Sequence, residues 1–163
     1  MAPTSQPGLS IRLAAPEDIP VCGEICYRAF STISAAHNFP CDLPGQEMAT
    51  AVISQMFSHP GFYCVVAEIE GRIVGSNVLD ERSIISGVGP ITIDPDAQDL
   101  GVGRKLMQAV IDRANERGAA GIRLVQAAFH NRSLSLYASL GFECPRAPRL
   151  RPGTPTGTNC SGM

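Results

Sequence analysis

Positive charge is not in excess in this chain. Its 163 residues carry 13 Lys and Arg against 15 Asp and Glu, a net charge of -2. Nucleic acid as the main partner demands a strong basic footprint, so that class is excluded as the principal role. No apolar run reaches the roughly 18 residues that cross a bilayer. Residues 1–10 have neither the apolar stretch of a secretory leader nor an arginine-rich transit pattern. The expectation is a cytoplasmic protein without a membrane partner. Cysteine occurs six times but never as Cys-x-x-Cys. Cys22 and Cys26 lie four apart on one helix face, yet no second pair or His cluster accompanies them. They read as small buried apolar residues rather than metal ligands, and without an export signal disulfides are not expected. Charged residues make up only 17% and hydrophobic residues 44%. That balance suits one folded domain rather than a disordered chain.

Periodicity outlines the elements. Residues 9–13 alternate as a half-buried strand does. A helix starts at Ala15-Pro16-Glu17-Asp18, with Ile19, Cys22, Ile25, Cys26 and Ala29 on its apolar face. The pattern breaks over residues 31–45, expected as a loop. A second helix covers residues 46–57. Strands follow at 62–69 and 72–79, joined by the hairpin signal Glu70-Gly71. Residues 80–86 read as a loop and 88–94 as a strand, in which Pro90 predicts a bulge or break because it cannot donate to a ladder. A helix runs from the glycines to about Arg117, stopped by Gly118. A strand at 122–126 and a helix opened by Asn131 and ended by Gly141 complete the pattern, and Phe142-Glu143-Cys144 looks like the start of another strand. The crossover between the strands at 88–94 and 122–126 makes them parallel. The fold class is α/β, with a single mixed, mostly antiparallel sheet flanked by helices.

One stretch carries the chemistry. Residues 88–106 read as a strand, a turn and a glycine-rich entry into an amphipathic helix, with the spacing Gln98-x-x-Gly101-x-Gly103. Unpaired N–H groups and the helix dipole there favour a phosphate or pyrophosphate. A Walker ending is absent, and so is the longer Gly-x-Gly-x-x-Gly spacing with its acidic partner. Glycines that merely allow close helix packing are the competing reading.

A second motif, Asn131-Arg-Ser-Leu-Ser-Leu-Tyr137-Ala-Ser-Leu-Gly141-Phe142, follows with one strand between. Together the two motifs resemble the GCN5-related N-acetyltransferase superfamily over about residues 9–144. The resemblance implies the acyl-coenzyme A N-acyltransferase fold and acetyl-CoA as co-substrate, with no metal. It implies that the amides of Leu100, Gly101, Val102, Gly103 and Arg104 hold the pyrophosphate and that Gln98 orients the turn. The backbones of Ile91 and Ile93 would pair with the pantetheine arm. An N–H near Pro90 to Ile91 would stabilise an oxyanion. Asn131 would bond the cofactor arm or cap its helix. Tyr137 would be the general acid, or else an aromatic core residue. The implied reaction is direct attack of an amine on the thioester in a ternary complex. The acceptor is an amine-bearing small molecule or peptide, and a homodimer is allowed. Asp80, Glu81, Asp94, His37 and His130 are conceivable bases, each read as a solvated loop residue and none assigned. The loop Ala35-Ala-His-Asn-Phe-Pro40 falls where the family shapes its acceptor pocket.

The tail departs from that pattern. Residues 145–163 are rich in proline and poor in large apolar side chains, and are expected to be disordered. The domain is therefore expected over residues 9–144, between an N-terminal tail (1–8) and this atypical one, with the family's closing C-terminal strand hairpin expected to be missing. Two further readings follow: a non-catalytic acyl-CoA-binding or sensor domain, and a fragment that does not fold.

Overall fold

The computed structural model describes residues 8–144. The expectations for the tails, including the missing strand hairpin, fall outside that range except at Gly8. In chain order the elements are β1 (Leu9–Leu13), α1 (Ile19–Ala36), α2 (Gln46–Ser58), β2 (Phe62–Ile69), β3 (Arg72–Asp80) and β4 (Ile85–Val88). Then come β5 (Thr92–Ile93), α3 (Val102–Glu116), β6 (Gly121–Leu124) and α4 (Asn131–Ser139). The sheet runs β1-β2-β3-β4-β6, with β5 pairing β3. Every pairing is antiparallel except the parallel one between β4 and β6.

Alternation along β2 sorts the two faces. Val65 and Ala67 join Leu106 and Val110 of α3 in one core cluster, while Val66 joins Cys22, Cys26 and Ile53 of α1 and α2 in the other. A strand covered on both faces loses polar–apolar alternation, which is why this run is continuously buried. Cys22 and Cys26 sit fully inside, and burial pushes their thiols up to about 12 and about 11. The turn Glu70-Gly71 has positive φ at both residues (51° and 77°), as a tight two-residue hairpin requires.

Four elements differ from the expectation. First, α1 continues through residues 31–36 to Ala36 instead of stopping near Ala29. Its end is set by Asn38, at φ 56°, with Asn38 N–H bonded to Ala35 C=O and Phe39 N–H to Ser34 C=O. That is the left-handed C-terminal motif, here on asparagine rather than glycine. Second, the strand expected at 88–94 is two strands, and the parallel partner of β6 begins at Ile85, inside the expected loop. Val88 faces Leu79 and Thr92 faces Ser76. The chain thus spends four steps against three on β3, which is the bulge predicted around Pro90. Third, residues 142–144 form no strand. Fourth, His130, not Asn131, occupies the N-cap of α4, its imidazole accepting from the Ser133 N–H.

Candidate functional site

The bulge separates β5 from β6. Among the described strands β5 pairs only with β3. Asp94 N–H donates to Val74 C=O (2.8 Å), so residues 92 and 94 turn their backbone groups toward β3. By alternation, Ile91 and Ile93 turn theirs toward the open side. That open side is one wall of a cavity of about 510 Å³.

The second wall is the N-terminus of α3. Its cap, Gly101, has φ 78°, and a Cβ there would meet nothing within 4 Å. The first helical bond is Lys105 N–H to Gly101 C=O, so the amides of Val102, Gly103 and Arg104 precede the hydrogen-bonded ladder. Gly103 has a different reason. A Cβ on it would lie 3.0 Å from Ile93 Cδ1 and 3.1 Å from Leu136 Cδ2. It lets α3 pack closely against β5 and α4, the alternative held open for the glycines.

The third wall is α4, which contributes Asn131 and Tyr137. Arg104 reaches from α3 to Ser139 Oγ (2.7 Å). Arg132 donates to Gln98 Oε1 (2.5 Å) and pairs with Asp99. Gln98 is therefore tied to α4. Arg132 is not among the site residues expected from the sequence; its place opposite Asp99 follows from the packing of α4 beside the start of α3, for which the sequence carries no local signal. Of the expected site residues, Ile91, Ile93, Gln98, Gly101, Val102 and Gly103 line this cavity, with Arg104, Asn131 and Tyr137. Leu100 does not. It packs against the α3-side core instead.

Tyr137 is only 7% exposed and meets the Phe142 ring edge-on at 6.1 Å. Burial raises its pKa above the ordinary tyrosine value, against a smaller opposing effect of Ser133. Its ring, with Ile91, His130 and Ser133, also borders a second cavity of about 260 Å³. That cavity opens where β4 and β6 part. Above it Phe39 stacks on Phe129 (4.6 Å, 10°), and His37 lies 5.3 Å from the same ring. The segment expected as an acceptor loop thus splits between the last turn of α1 and this aromatic group.

Three of the conceivable bases are committed elsewhere. Asp80 is held at about 2 by Arg82. Glu81 pairs with Arg113 and Arg117, and Asp94 with Arg28 at 3.2 Å. Glu81 and Asp94 are buried at the side chain (7% and 6% exposed), not solvated as expected. His37 and His130 do line the cavity. Among the described residues no three His, Cys, Asp or Glu side chains gather as a metal site, and no described helix is long and apolar enough to cross a membrane.

Known proteins share this fold. The [Ribosomal protein bS18]-alanine N-acetyltransferase of Escherichia coli K12 is 40% identical over 65 residues, covering 40% of this chain and 41% of that protein. The chain thus matches about two fifths of the length of such curated relatives. The crystal structure of the ribosomal-protein-S18-alanine N-acetyltransferase from Escherichia coli superposes with a TM-score of 0.64 at 24% identity, covering 83% of this chain and 77% of that one. PaiA N-acetyltransferase from Thermoplasma acidophilum, in complex with coenzyme A, superposes at 0.68 with 14% identity, covering 85% and 92%. At these identities the superpositions speak for the fold. The family model for the Acetyltransferase (GNAT) family matches residues 31–142. It spans the bulged strand, the open helix N-terminus and the tyrosine helix, and the chain belongs to that family.

Proposed function

We propose that this protein transfers an acetyl group from acetyl-CoA directly to an amine. One observation carries the reading. A strand edge unpaired among the described residues, an open helix N-terminus and a buried tyrosine face a single cavity.

The residues fit the co-substrate part by part. The amides of Val102, Gly103 and Arg104, with the positive end of α3, suit a pyrophosphate, and Gly101 keeps the approach free of side chains. The backbones of Ile91 and Ile93 offer an edge to an amide-bearing arm. Asn131 lies in the same wall and would bond that arm. Gln98 would position the loop through Arg132.

Pro90 has no N–H, so the Ile91 amide is the oxyanion donor at the bulge. The amine nitrogen attacks the carbonyl carbon, the carbon–sulfur bond breaks, and the Tyr137 hydroxyl gives its proton to the departing thiolate. Burial keeps that hydroxyl protonated. The amine's own proton leaves to solvent or an acceptor-side group. A peptide or protein N-terminus is the acceptor class we favour, because the bacterial relative named above is a ribosomal-protein alanine N-acetyltransferase.

Calorimetry with acetyl-CoA, followed by thiol release with a panel of amines, tests the reading. Saturable binding and amine-dependent thiol release are expected. Binding without release from any amine would make the protein an acyl-CoA-binding module. No binding at millimolar acetyl-CoA would end the proposal.

A further inference from the structure

The loop that leads into the open end of α3 is acidic. Asp94, Asp96 and Asp99 fall within six residues shortly before Gly101. Carboxylates beside a phosphate site work against it, because like charges repel. The structure treats the three differently. Arg28 of α1 pairs with Asp94 at 3.2 Å and with Asp96 at 2.9 Å, and neither acid borders the cavity of about 510 Å³. Asp99 does border it, with its side chain 84% exposed. The Asp99 backbone is left-handed, at φ 67°. Aspartate and asparagine tolerate that conformation better than other residues with a Cβ. The turn therefore explains a short polar side chain at this position, but it has no need of the charge.

Arg132 meets that charge from the opposite wall. One of its guanidinium nitrogens donates to Asp99 Oδ1 and another to Gln98 Oε1 at 2.5 Å. Two bonds from one planar fork fix the direction of the group. Arg132 and Arg104 both border the cavity. Taken with Asp99, the two arginines leave this part of the lining net positive. Without Arg132, Arg104 and Asp99 cancel, and the dipole of α3 acts alone.

We infer that Arg132 is a positioning residue for donor selection: by neutralising Asp99 it lets the α3 N-terminus attract the pyrophosphate of acetyl-CoA, and Gln98 aims its guanidinium at that task. This rests on the acetyltransferase reading given above and deepens its donor side. The ion pair is exposed at both ends (51% and 84%), so it adds little to folding. Its effect falls on a ligand that brings further negative charge close to Asp99. A thioester arm without phosphates is indifferent to the pair.

The test compares wild type with Arg132→Ala, Asp99→Asn and the double variant. Asparagine keeps the left-handed turn and removes only the charge. Acetyl-CoA and S-acetylpantetheine, which carries the thioester arm without phosphate, are titrated calorimetrically at about 20 mM and about 0.5 M NaCl. At low salt Arg132→Ala should weaken acetyl-CoA by about fivefold or more, and high salt should shrink that difference, since exposed charges are screened. Asp99→Asn should bind acetyl-CoA at least as tightly as wild type. The double variant should return to within about twofold of wild type, because it lacks both charges. S-acetylpantetheine affinity should be the same in all four proteins, and Tm should not move, which separates donor selection from folding.

Unchanged acetyl-CoA affinity in Arg132→Ala overturns the inference. So does a double variant as weak as Arg132→Ala, which would mean that Arg132 grips the phosphates itself. An equal loss for S-acetylpantetheine overturns it as well. With wild type binding acetyl-CoA, those outcomes leave the acetyltransferase reading standing. No binding of acetyl-CoA to wild type overturns that reading and this inference together.

Discussion

At the scale of single residues the division of labour inside the cavity is sharp. Gly101 is open and Gly103 is packed, although the spacing Gln-x-x-Gly-x-Gly treats them alike. Leu100 and Val102 flank Gly101, yet only Val102 reaches the cavity. A motif reports that a backbone turn exists, and burial decides which atoms it shows. Tyr137 is where burial and chemistry coincide. Taking it out of water disfavours the phenolate and raises its pKa. The acid form therefore persists through neutral pH, and the alkaline fall in kcat should lie above the ordinary tyrosine value of 10. Tyr137→Phe keeps the ring against Phe142 and deletes only the hydroxyl, the proton donor of the proposed reaction. We expect kcat to fall by about 10²-fold, the scale of one general acid, with acetyl-CoA Kd changed less than threefold by calorimetry. Unchanged turnover would remove Tyr137 from the reaction.

At the scale of elements, two junctions hold the walls of the site. One is the crossing of α1 and α2. A Cβ on Gly23 would sit 2.3 Å from Thr50 Oγ1 and 2.7 Å from Thr50 Cα. The second contact is backbone, so no rotamer change relieves it. Gly23→Ala gains about 1 kcal/mol of helix propensity but forces the helices apart, at a cost of about 1–3 kcal/mol. Urea unfolding should show a net loss of stability. The other junction is the start of α4. His130 Nδ1 accepts from Ser133 N–H at 3.3 Å and lies 2.9 Å from Ser133 Oγ. Burial, then Arg132 and His37, lowers the His130 pKa from 6.5. Tyr137 on α4 and Asp42 are the other titratable groups around the neighbouring cavity. A lowered folded-state pKa means the unfolded chain binds the proton more readily. The cap's contribution is complete above pH 6.5 and is lost as pH falls through the lowered folded value. The protection of the amides in the first turn of α4, taken relative to their intrinsic exchange rate at each pH, should therefore fall on acidification. In His130→Asn, which caps without titrating, that fall should vanish, and its persistence would rule the cap out. These junctions also mark the limit of what the sequence showed. The hairpin of β2 and β3, the bulge at Pro90 and the span of α3 were legible, because turn chemistry and a 3.6-residue stripe are local signals. The extension of α1 depended on Asn38 taking a left-handed conformation, and the His130 cap on a side chain seldom used that way. Both are settled by packing rather than by pattern.

At the scale of the whole molecule, the sheet decides how the two reactants meet. The bulge sends β5 to one side and leaves β4 with β6. Two cavities result, separated by Tyr137 and its neighbours. On the proposed reading, acetyl donor and amine occupy them together and the amine attacks the thioester directly where the two cavities adjoin, beside Ile91 and Tyr137. The cysteines agree with this. Cys22, Cys26 and Cys64 have thiols pushed up by burial to about 12, 11 and 12, so they are poor nucleophiles at neutral pH, and among the described residues no cysteine borders either cavity. Among the described residues, one hydroxyl lining both cavities has a base beside it: that of Ser133, 2.9 Å from His130 Nδ1 in the shared wall, which makes it the candidate for a covalent route. The two routes differ in kinetics. Direct transfer requires both reactants at once, so double-reciprocal plots at several fixed amine concentrations should intersect. No acetyl label should stay on the protein after rapid quenching without amine, and Ser133→Ala should retain activity within about tenfold. A route through Ser133 forms a covalent intermediate, with parallel lines, label retained on the protein and loss of turnover in Ser133→Ala. Parallel lines with retained label would overturn direct transfer, whichever amine the enzyme prefers.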